Sequence, residues 1–595
     1  MNKFLPTTKE EIDALGWDRP DVIIVSGDTY LDSPYNGAAL IGRLLQSEGY
    51  NTAIIAQPDM NSDDVARLGE PKLFWGVTSG CVDSMVANYT ASKKPRRSDD
   101  FTPGGENTRR PDRAVIAYTN LIRKHFKDTS PVIVAGIEAS LRRLTHYDFW
   151  SGKLRRSVLF DAKADYLIYG MGEKAILEFA KGTKPENIDG LCYISKELPE
   201  SYLELPSHEE CTGDKDIFTE MFHTFYQNND YITAKGLAQK QDTRYLIQNP
   251  PAEDPTRVEM NRYYELPYTY EVHPFYAEQG HVKAIETIRN SITTHRGCYG
   301  ECNFCAIAVH QGTRIIERTE ASVEKEVQRF IDKKGWNGII NDVGGPTANM
   351  YGIECKKKKE KGRCPDKRCM YPKMCSSLSV NHKFTNSLLS RIRKMDGIKR
   401  VFIASGIRYD LIMEDKKFGP QYLENLVRFF VSGQLKIAPE HSEQDVLDMM
   451  GKPSEKVLKE FVDAYYKENK KQGKKQFLTY YMIAAHPGCE MHHMEDLKRF
   501  ASKELKINPE QVQIFTPLPS TYSALMYYTG KKPFTGEEIF VERDQTKKVK
   551  QKEILTSATG RQSGKATAKA KNNHRPKPKS RPKPKCCTTR RKRRK

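Results

Sequence analysis

The sequence predicts an α/β protein in two parts, because apolar strands and amphipathic helices alternate in two separate stretches. The first stretch lies within residues 1–190 and predicts a doubly wound parallel sheet. The second stretch, residues 285–530, contains six such strands and predicts a partial (βα)6 barrel. Residues 545–595 are rich in Lys, Arg and Pro and cannot bury a core, so we predict a disordered basic tail there.

The clearest unit of the first stretch is the βαβ pattern of residues 20–57. An apolar strand is followed by a loop, an amphipathic helix that ends at Gly49, and a second apolar strand. Apolar runs at 72–80, 131–140 and 164–173 predict further strands. Because parallel strands end at one edge of the sheet, we expect the binding crevice of this domain at their carboxyl ends.

Three irregular stretches separate or follow these domains. Residues 93–115 form a long charged loop, which predicts either a functional lid or a solvated insertion. Residues 191–284 are rich in Pro, Glu, Tyr and Asn, and we predict a connecting segment that wraps one domain onto the other. A short closing segment is predicted at 531–544, after the barrel.

Net charge and cysteine usage suggest partners and a compartment. The chain of 595 residues has a net charge of +20, but residues 545–595 hold 20 Lys and Arg against one acid, Glu553, so the tail carries +19 and the body +1. Such a tail predicts salt-dependent binding to the phosphates of RNA. The 13 cysteines are clustered, and there is neither a signal peptide nor a long apolar run, so we expect a cytoplasmic protein without a membrane partner.

The most informative motif follows the first barrel strand and reads Cys298-Tyr-Gly-Glu-Cys302-Asn-Phe-Cys305. Three thiolates on a tight glycine-containing loop can hold one small metal body. A 4Fe-4S cluster normally takes four cysteines, so three leave one iron open to another ligand. The alternatives are three unrelated thiols or a zinc loop, although zinc loops more often show C-x2-C pairs or regularly spaced histidines.

The spacing C-x3-C-x2-C, with Phe304 before the third cysteine, resembles the signature of the radical S-adenosylmethionine (SAM) superfamily. The resemblance implies a 4Fe-4S cluster on Cys298, Cys302 and Cys305, whose open iron binds SAM. It also implies that an electron from the cluster cleaves SAM to a 5′-deoxyadenosyl radical. An electron donor such as flavodoxin or ferredoxin is therefore an expected partner.

The resemblance also implies a SAM site at the strand ends. In radical SAM barrels the loop after the second strand usually reads G-G-E and binds the amino group of SAM through its backbone, whereas this chain has Gly344-Gly345-Pro346. The residues assigned to SAM by the resemblance are Phe304 beside the adenine, Gly344 and Gly345 at the amino group, Ser405 and Glu440 at the ribose, and Arg408 at the carboxylate.

The first domain resembles the cobalamin-binding-like domain that precedes many radical SAM barrels, with Gly170-Met-Gly172-Glu173 matching its G-x-G-E turn. It lacks the D-x-H-x-x-G motif whose histidine binds cobalt, since the first loop reads Asp28-Thr-Tyr-Leu-Asp32. We therefore predict that cobalamin is not a cofactor of this protein. Cobalamin bound without a protein ligand to the cobalt is the open alternative.

A second group of cysteines lies in a Lys-rich insertion at residues 355–375, and its members are Cys355, Cys364, Cys369 and Cys375. Thiolates suit both zinc and iron-sulfur clusters, so this group predicts a second metal or an auxiliary cluster. The spacing is irregular for a zinc ribbon, and unliganded thiols are the alternative.

The order of these motifs over most of residues 20–540 resembles the YgiQ-type radical SAM family. We therefore expect a radical SAM enzyme that acts on a substrate and through catalytic residues that the sequence does not identify. The alternative is a noncatalytic iron-sulfur protein that binds RNA or ribosomes through its basic tail. An RNA-modifying enzyme would combine the two.

Overall fold

The computed structural model describes residues 4–510 and 512–557. Within them, the strands of the first half are β1 (Val22–Ser26), β2 (Thr52–Ala56), β3 (Phe74–Thr78), β4 (Val132–Ala135), β5 (His146–Asp148), β6 (Lys153–Arg155), β7 (Tyr166–Ile168), β8 (Leu191–Ser195), β9 (Leu203–Leu205), β10 (Leu237–Gln241) and β11 (Arg244–Gln248). The helices of this half are α1 (Lys9–Ala14), α2 (Gly37–Ser47), α3 (Ser84–Asn88), α4 (Ala114–His125), α5 (Gly136–Leu141), α6 (Val158–Ala162), α7 (Glu173–Ala180), α8 (His208–Gly213) and α9 (Lys215–Gln227).

Nine of these strands form one sheet in the order β2-β1-β3-β4-β7-β8-β11-β10-β9. The first five are parallel to one another, as predicted. Alternate residues of β1 face opposite ways: Ile23 and Val25 pack with α4, whereas Val22 and Ile24 pack with α2. Burial of both faces under helices is what a doubly wound sheet requires.

The predicted boundary at residue 190 is wrong, because residues 191–248 extend the sheet by four strands. β8 runs antiparallel to β7, and β11 runs antiparallel to β8. The strand pattern of β10 and β11 is obscured in the sequence by Gln239, Gln241 and Gln248, which are completely buried. Their amide oxygens accept hydrogen bonds at 2.9–3.0 Å from partners in residues 143–157, which satisfies these polar groups inside the core.

The chain then returns to the sheet and enters the second domain through α10 (Arg257–Glu265), α11 (Pro274–Ala277) and α12 (Ile285–Ile288). Leu31 and Val272 form an antiparallel bridge between this segment and the loop after β1. In the same loop, Asp32 accepts hydrogen bonds from the Thr269 backbone N–H and from Arg43. This part of the predicted connecting segment therefore holds the first domain directly.

The strands of the second domain are β12 (Ser291–Thr293), β13 (His295–Arg296), β14 (Ile316–Glu317), β15 (Ile339–Ile340), β16 (Asp342–Gly344), β17 (Arg400–Val401), β18 (Gln434–Glu440), β19 (Phe477–Ala484) and β20 (Val512–Ile514). Its helices are α13 (Ile307–His310), α14 (Glu320–Ile331), α15 (Lys356–Lys361), α16 (Lys383–Arg393), α17 (Tyr409–Glu414), α18 (Gly419–Asn425), α19 (Gln444–Met450), α20 (Glu455–Lys471), α21 (Met491–Lys503), α22 (Tyr522–Thr529) and α23 (Gln545–Thr556).

All six predicted barrel strands are present and pair in sequence order. The second strand is split into β15, which pairs with β17, and β16, which pairs with β12. A parallel bridge between Ile407 and Ile437 joins the third strand to β18, which continues to β19 and β20. All of these pairings are parallel, so the strand ends converge at one mouth, as a partial barrel requires.

The predicted start of the disordered tail at residue 545 is too early, because residues 545–556 form α23 and pack on the barrel. Lys548, Gln551 and Leu555 are fully buried. Gln551 accepts a 2.8 Å hydrogen bond from the Ala485 N–H and donates one of 3.1 Å to the Cys489 carbonyl. Because this helix also carries lysines at other positions, its buried face is difficult to recognise from the sequence. Residues 558–595 of the predicted tail lie outside the described residues.

No helix within residues 4–510 or 512–557 is both long enough and apolar enough to span a membrane.

Candidate cofactor and substrate site

The three cysteines of the motif lie between β13 and α13, where the first barrel strand ends. Burial raises the pKa of Cys298, and the neighbouring Cys302 raises it further. Burial raises the pKa of Cys305 to about 12, with a further contribution from Cys302. Cys302 is therefore close enough to the other two cysteines to affect their ionisation, and burial favours the protonated thiol of Cys298 and of Cys305.

Gly300 lies directly against two of these thiols, with no room for a side chain. A Cβ at this position would lie 3.3 Å from Cys298 Sγ, 3.7 Å from Cys302 Sγ and 2.9 Å from the Arg408 side chain. The Gly300 N–H also donates to Cys298 Sγ at 3.3 Å. The next residue, Glu301, has a φ of 44°, in the left-handed region that side chains rarely adopt. The backbone of the loop is thus held in a conformation that brings Gly300 close to the sulfurs of Cys298 and Cys302.

These donors fit an iron-sulfur cluster better than a single ion. Among the described residues, no group of three or more His, Cys, Asp and Glu side chains converges in a way that suits one metal ion. Each cysteine ligand of a cubic cluster binds a different iron, so the three thiols need not converge on one point. Thiolates with a backbone N–H donor and a nearby cation are the surroundings that tune such clusters.

The charge next to Cys302 comes from Arg408, whose Nη1 lies 3.5 Å from the Cys302 sulfur. Its other two nitrogens, Nε and Nη2, donate to both oxygens of Asp410 at 2.8 and 2.5 Å. Both side chains are buried. Asp410 therefore occupies two nitrogens of the guanidinium group that was predicted to bind the carboxylate of SAM. The remaining nitrogen, Nη1, points to the cysteine loop.

Glu440 ends β18 with a φ of 71°, a second strained position at the barrel mouth. Burial raises its pKa, opposed by Lys452, whose Nζ lies 3.7 Å from its carboxylate. Lys452 also lowers the pKa of Cys305. Lys452 thus links Glu440 electrostatically to the cysteine loop, a role that its position in the sequence does not signal.

At the predicted site for the amino group of SAM, few backbone groups are free of hydrogen bonds within the protein. The Gly344 carbonyl accepts hydrogen bonds from Thr294 N at 2.7 Å and from Thr294 Oγ1 at 3.1 Å. A Cβ at Gly345 would lie 2.6 Å from His295, which explains the need for glycine there. Ser405 donates its hydroxyl proton and its backbone N–H to Asp342, so its hydroxyl oxygen faces the mouth as an acceptor.

Phe304 is partly buried and packs edge-on against His486, with ring centroids 6.4 Å apart. Burial lowers the pKa of His486 to about 3 and that of His441 to about 3. His441 Nε2 lies 3.7 Å from the Cys489 sulfur, and burial raises the pKa of that thiol to about 12. These groups are neutral at ordinary pH and form a wall behind Phe304.

A cavity of about 510 Å³ lies between the carboxyl ends of the first sheet and the barrel mouth. From the sheet side, apolar side chains and glycines of β1, β3, β4 and α2 line it. From the barrel side, the lining is polar and includes Asp342, Gly344, Gly345, Ser405 and Thr293. Tyr35 crosses from the first domain to Thr293 and Asp342, and burial together with Asp342 raises its pKa.

Sequence analysis did not identify the contacts that join the two domains beside this cavity. Arg296, two residues before Cys298, donates to Glu173 at 2.5 Å and to the Tyr264 hydroxyl at 3.2 Å. Glu173 is the last residue of the G-x-G-E turn, and this motif was the sequence signal that could have revealed the contact. His310 Nδ1 lies 3.1 Å from Ser140 Oγ on the other side of the loop. The first domain therefore holds both flanks of the cysteine loop.

The second group of cysteines is different. Cys355, Cys369 and Cys375 belong to a small apolar cluster with Tyr299, whereas Cys364 lies outside it. Cys369 Sγ faces Lys358 Nζ at 3.8 Å. In the part of the chain that the structure describes, these thiols do not form a single-ion site, and the prediction of a second metal or an auxiliary cluster stays a prediction. Burial raises the pKa of Cys369, and Cys355 and Cys375 are close enough to raise it further.

The insertion also holds the cysteine loop, through Glu301. This carboxylate is 3% exposed and lies 3.5 Å from Lys358 Nζ and 3.3 Å from Arg363. Arg368 donates to the Glu301 carbonyl at 3.0 Å. Burial alone would raise the pKa of Glu301, but these three cations outweigh it, and the pKa is lowered.

Comparison with known proteins identifies the family. Residues 4–291 match the radical SAM N-terminal family. A UPF0313 protein of Fusobacterium nucleatum is 58% identical over 93% of this chain and 99% of its own length. UPF0313 proteins of Thermotoga neapolitana and Thermotoga maritima are 47% and 46% identical over 94% of this chain and 100% of their own lengths.

Among solved structures, the radical SAM methyltransferase TsrM of Kitasatospora setae, with tryptophan substrate and a SAM analogue bound, aligns with a TM-score of 0.48 at 14% identity. That alignment covers 84% of this chain and 74% of TsrM. A second TsrM structure, with cobalamin and a 4Fe-4S cluster bound, aligns with a TM-score of 0.47 over 85% of this chain and 77% of TsrM. Our prediction that this chain does not use cobalamin stays a prediction.

The relatives span nearly the whole chain at identities far above 30%. Together with the match of residues 4–291 to the radical SAM N-terminal family, they confirm the predicted family resemblance. The chain therefore belongs to the UPF0313 family, and its residues 4–291 match the radical SAM N-terminal family.

Proposed function

We propose that this protein is an enzyme that cleaves SAM reductively, using a 4Fe-4S cluster on Cys298, Cys302 and Cys305. The observation that carries the proposal is the position of Gly300, whose backbone lies directly against two of the thiols and Arg408 at the end of the first barrel strand. When bound there, a cluster supplies one electron to the sulfonium of SAM, which breaks a carbon–sulfur bond to give methionine and a 5′-deoxyadenosyl radical.

The protein's own groups have distinct tasks in this proposal. Arg408 donates to the Cys302 sulfur and makes the cluster easier to reduce, because a positive charge stabilises the added electron. Its partner Asp410 holds it in place, so the SAM carboxylate relies on other groups. Gly345 offers its backbone to the amino group, Ser405 and Glu440 face the ribose, and Phe304 packs beside the adenine.

The substrate occupies the sheet side of the cavity in this proposal. The barrel side of the same cavity contains Gly345 and Ser405, so a SAM molecule held there would face the space in front of the first sheet. That side is lined by apolar groups, which favours a substrate with an apolar body.

The test is anaerobic reconstitution of the full chain with iron and sulfide, followed by addition of SAM and dithionite and assay of 5′-deoxyadenosine. We expect product from the wild type and none above background from Cys298→Ala, Cys302→Ala and Cys305→Ala variants. Cys192→Ala is the matched control, because this thiol is buried in β8, away from the motif. It should retain iron and activity.

Iron content separates two ways in which the proposal could fail. A wild-type protein that holds about four irons per chain but never cleaves SAM, with or without cell extract as a substrate source, would contradict enzymatic activity. Cysteine-motif variants that keep full iron content would contradict the assigned ligands.

A further inference from the structure

The insertion at 355–375 has an unusual charge for this protein. It contains nine Lys and Arg against Glu360 and Asp366, a net charge of +7. Residues 1–544 together carry only +1, so these residues without the insertion are at −6. Six lysines of the insertion are exposed, and we call four of them the insertion patch: Lys356, Lys357, Lys361 and Lys367.

The inner face of the same insertion contacts the cysteine loop. Lys358 is buried and reaches Glu301, which lies between Cys298 and Cys302 in sequence. Its ammonium group also lies over the Tyr299 ring at 5.7 Å, and the Tyr299 hydroxyl accepts from the Cys355 N–H at 3.2 Å. Lys358 belongs to α15, as do Lys356, Lys357 and Lys361. Three lysines of the patch therefore lie within about one helical turn of the residue that contacts the cysteine loop.

Reductive cleavage of SAM consumes one electron per event, which must come from outside the chain. We propose that the insertion patch is the docking surface for an acidic one-electron donor protein of the flavodoxin or ferredoxin class. This inference rests on the proposed function. The electron would pass from the reduced donor to the cluster held by the cysteine loop, which oxidises the donor by one electron and reduces the cluster by one.

The surface chemistry favours such a protein over a nucleic acid. Lysine is a compact, strongly hydrated charge that attracts an acidic surface at long range without fixing one geometry. Electron-transfer complexes use small and transient interfaces of this kind. The two arginines of the insertion, whose planar groups suit phosphate, are instead turned inward to Glu301.

The experiment compares two reductants on the reconstituted full chain. Lys356→Gln, Lys357→Gln, Lys361→Gln and Lys367→Gln are combined in one patch variant. The control variant carries the same change at four exposed lysines, Lys467, Lys470, Lys474 and Lys475. These lie near the end of α20 and before β19, at the end of the barrel opposite the mouth.

Loss of cluster absorbance in a stopped-flow instrument is recorded with reduced flavodoxin and, separately, with dithionite. We expect the second-order rate constant for flavodoxin to fall about tenfold or more in the patch variant and to change less than about twofold in the control. The rate with dithionite should be unchanged in both. Fluorescence anisotropy of labelled flavodoxin at low salt should show weaker binding to the patch variant alone.

Three outcomes would overturn the inference. An equal fall in the rate constant for flavodoxin in both variants would mean that only the overall charge of the protein matters. Slower reduction of the patch variant by dithionite would mean that the lysines act on the cluster itself. If the patch mutations weaken the binding of an RNA oligonucleotide but not the binding of flavodoxin, the surface would be assigned to nucleic acid. If the wild type never cleaves SAM, the proposed function fails, and the anisotropy measurement still decides the docking surface.

Discussion

The two groups of cysteines show why residue type alone does not make a cofactor site. In the loop at 298–305, Gly300 places bare backbone directly against two thiols, and Arg408 supplies a charge. In the insertion, Cys355 and Cys369 are packed into an apolar cluster, and the cation nearest Cys369, Lys358, also pairs with Glu301. The first group has a glycine and a guanidinium beside its sulfurs, whereas the second has apolar packing and a lysine shared with a carboxylate. Backbone and charge, more than sulfur, distinguish the two regions.

The largest effect should come from adding a side chain at Gly300. Gly300→Val presses methyl groups against the Cys298 and Cys302 sulfurs and Arg408, so we expect iron content after reconstitution to fall close to background and SAM cleavage with it. Gly433→Ala is the control, because a Cβ there meets no atom within 4 Å. Normal iron binding by the Gly300→Val protein would mean that cluster binding does not depend on bare backbone at this position.

Removing Arg408 should affect both stability and the cluster. Arg408→Met leaves Asp410 buried without its partner, which should lower the free energy of unfolding by about 3 to 5 kcal/mol. The additional change Asp410→Asn should restore most of it. In both proteins the reduction potential of the cluster should be more negative, since the charge beside Cys302 is gone. An unchanged potential would show that Arg408 serves only to neutralise Asp410.

Glu301 should make the stability of the fold depend on pH. Its pKa is lowered in the folded protein, so its ion pairs with Lys358 and Arg363 stabilise the fold above the ordinary carboxyl pKa. This contribution is lost as the pH falls through the lowered value. Glu301→Gln should therefore reduce the melting temperature at neutral pH and bring it closer to wild type in acid. Parallel pH profiles of the two proteins would contradict this role.

The smallest effect should come from the second cysteine group. A double variant, Cys355→Ala with Cys369→Ala, should still hold about four irons per chain after reconstitution and should cleave SAM at close to the wild-type rate. The matched comparison is Cys298→Ala with Cys302→Ala, which changes the same number of thiols. Loss of iron from the insertion variant would show that an auxiliary cluster exists after all.

Much of the fold could be predicted because its signals are local. The alternation of strands and helices in 20–190 and 285–530 follows from apolar periodicity, and the six barrel strands are found where predicted. The strands β8 to β11 and helix α23 were missed for the same reason. Their buried polar residues, such as Gln239 and Lys548, find partners that are distant in sequence, so the local pattern looks exposed.

The sequence alone determined the cysteine loop and its glycine, because the spacing of three thiols over eight residues depends only on neighbours along the chain. Tertiary structure decided what surrounds them. Pairing of Arg408 with Asp410, the contact of Glu173 with Arg296 and the cavity between the two domains all join residues from different elements. Such contacts depend on how sheet and barrel pack, which no local pattern encodes, and they set the charge and space that the thiols meet.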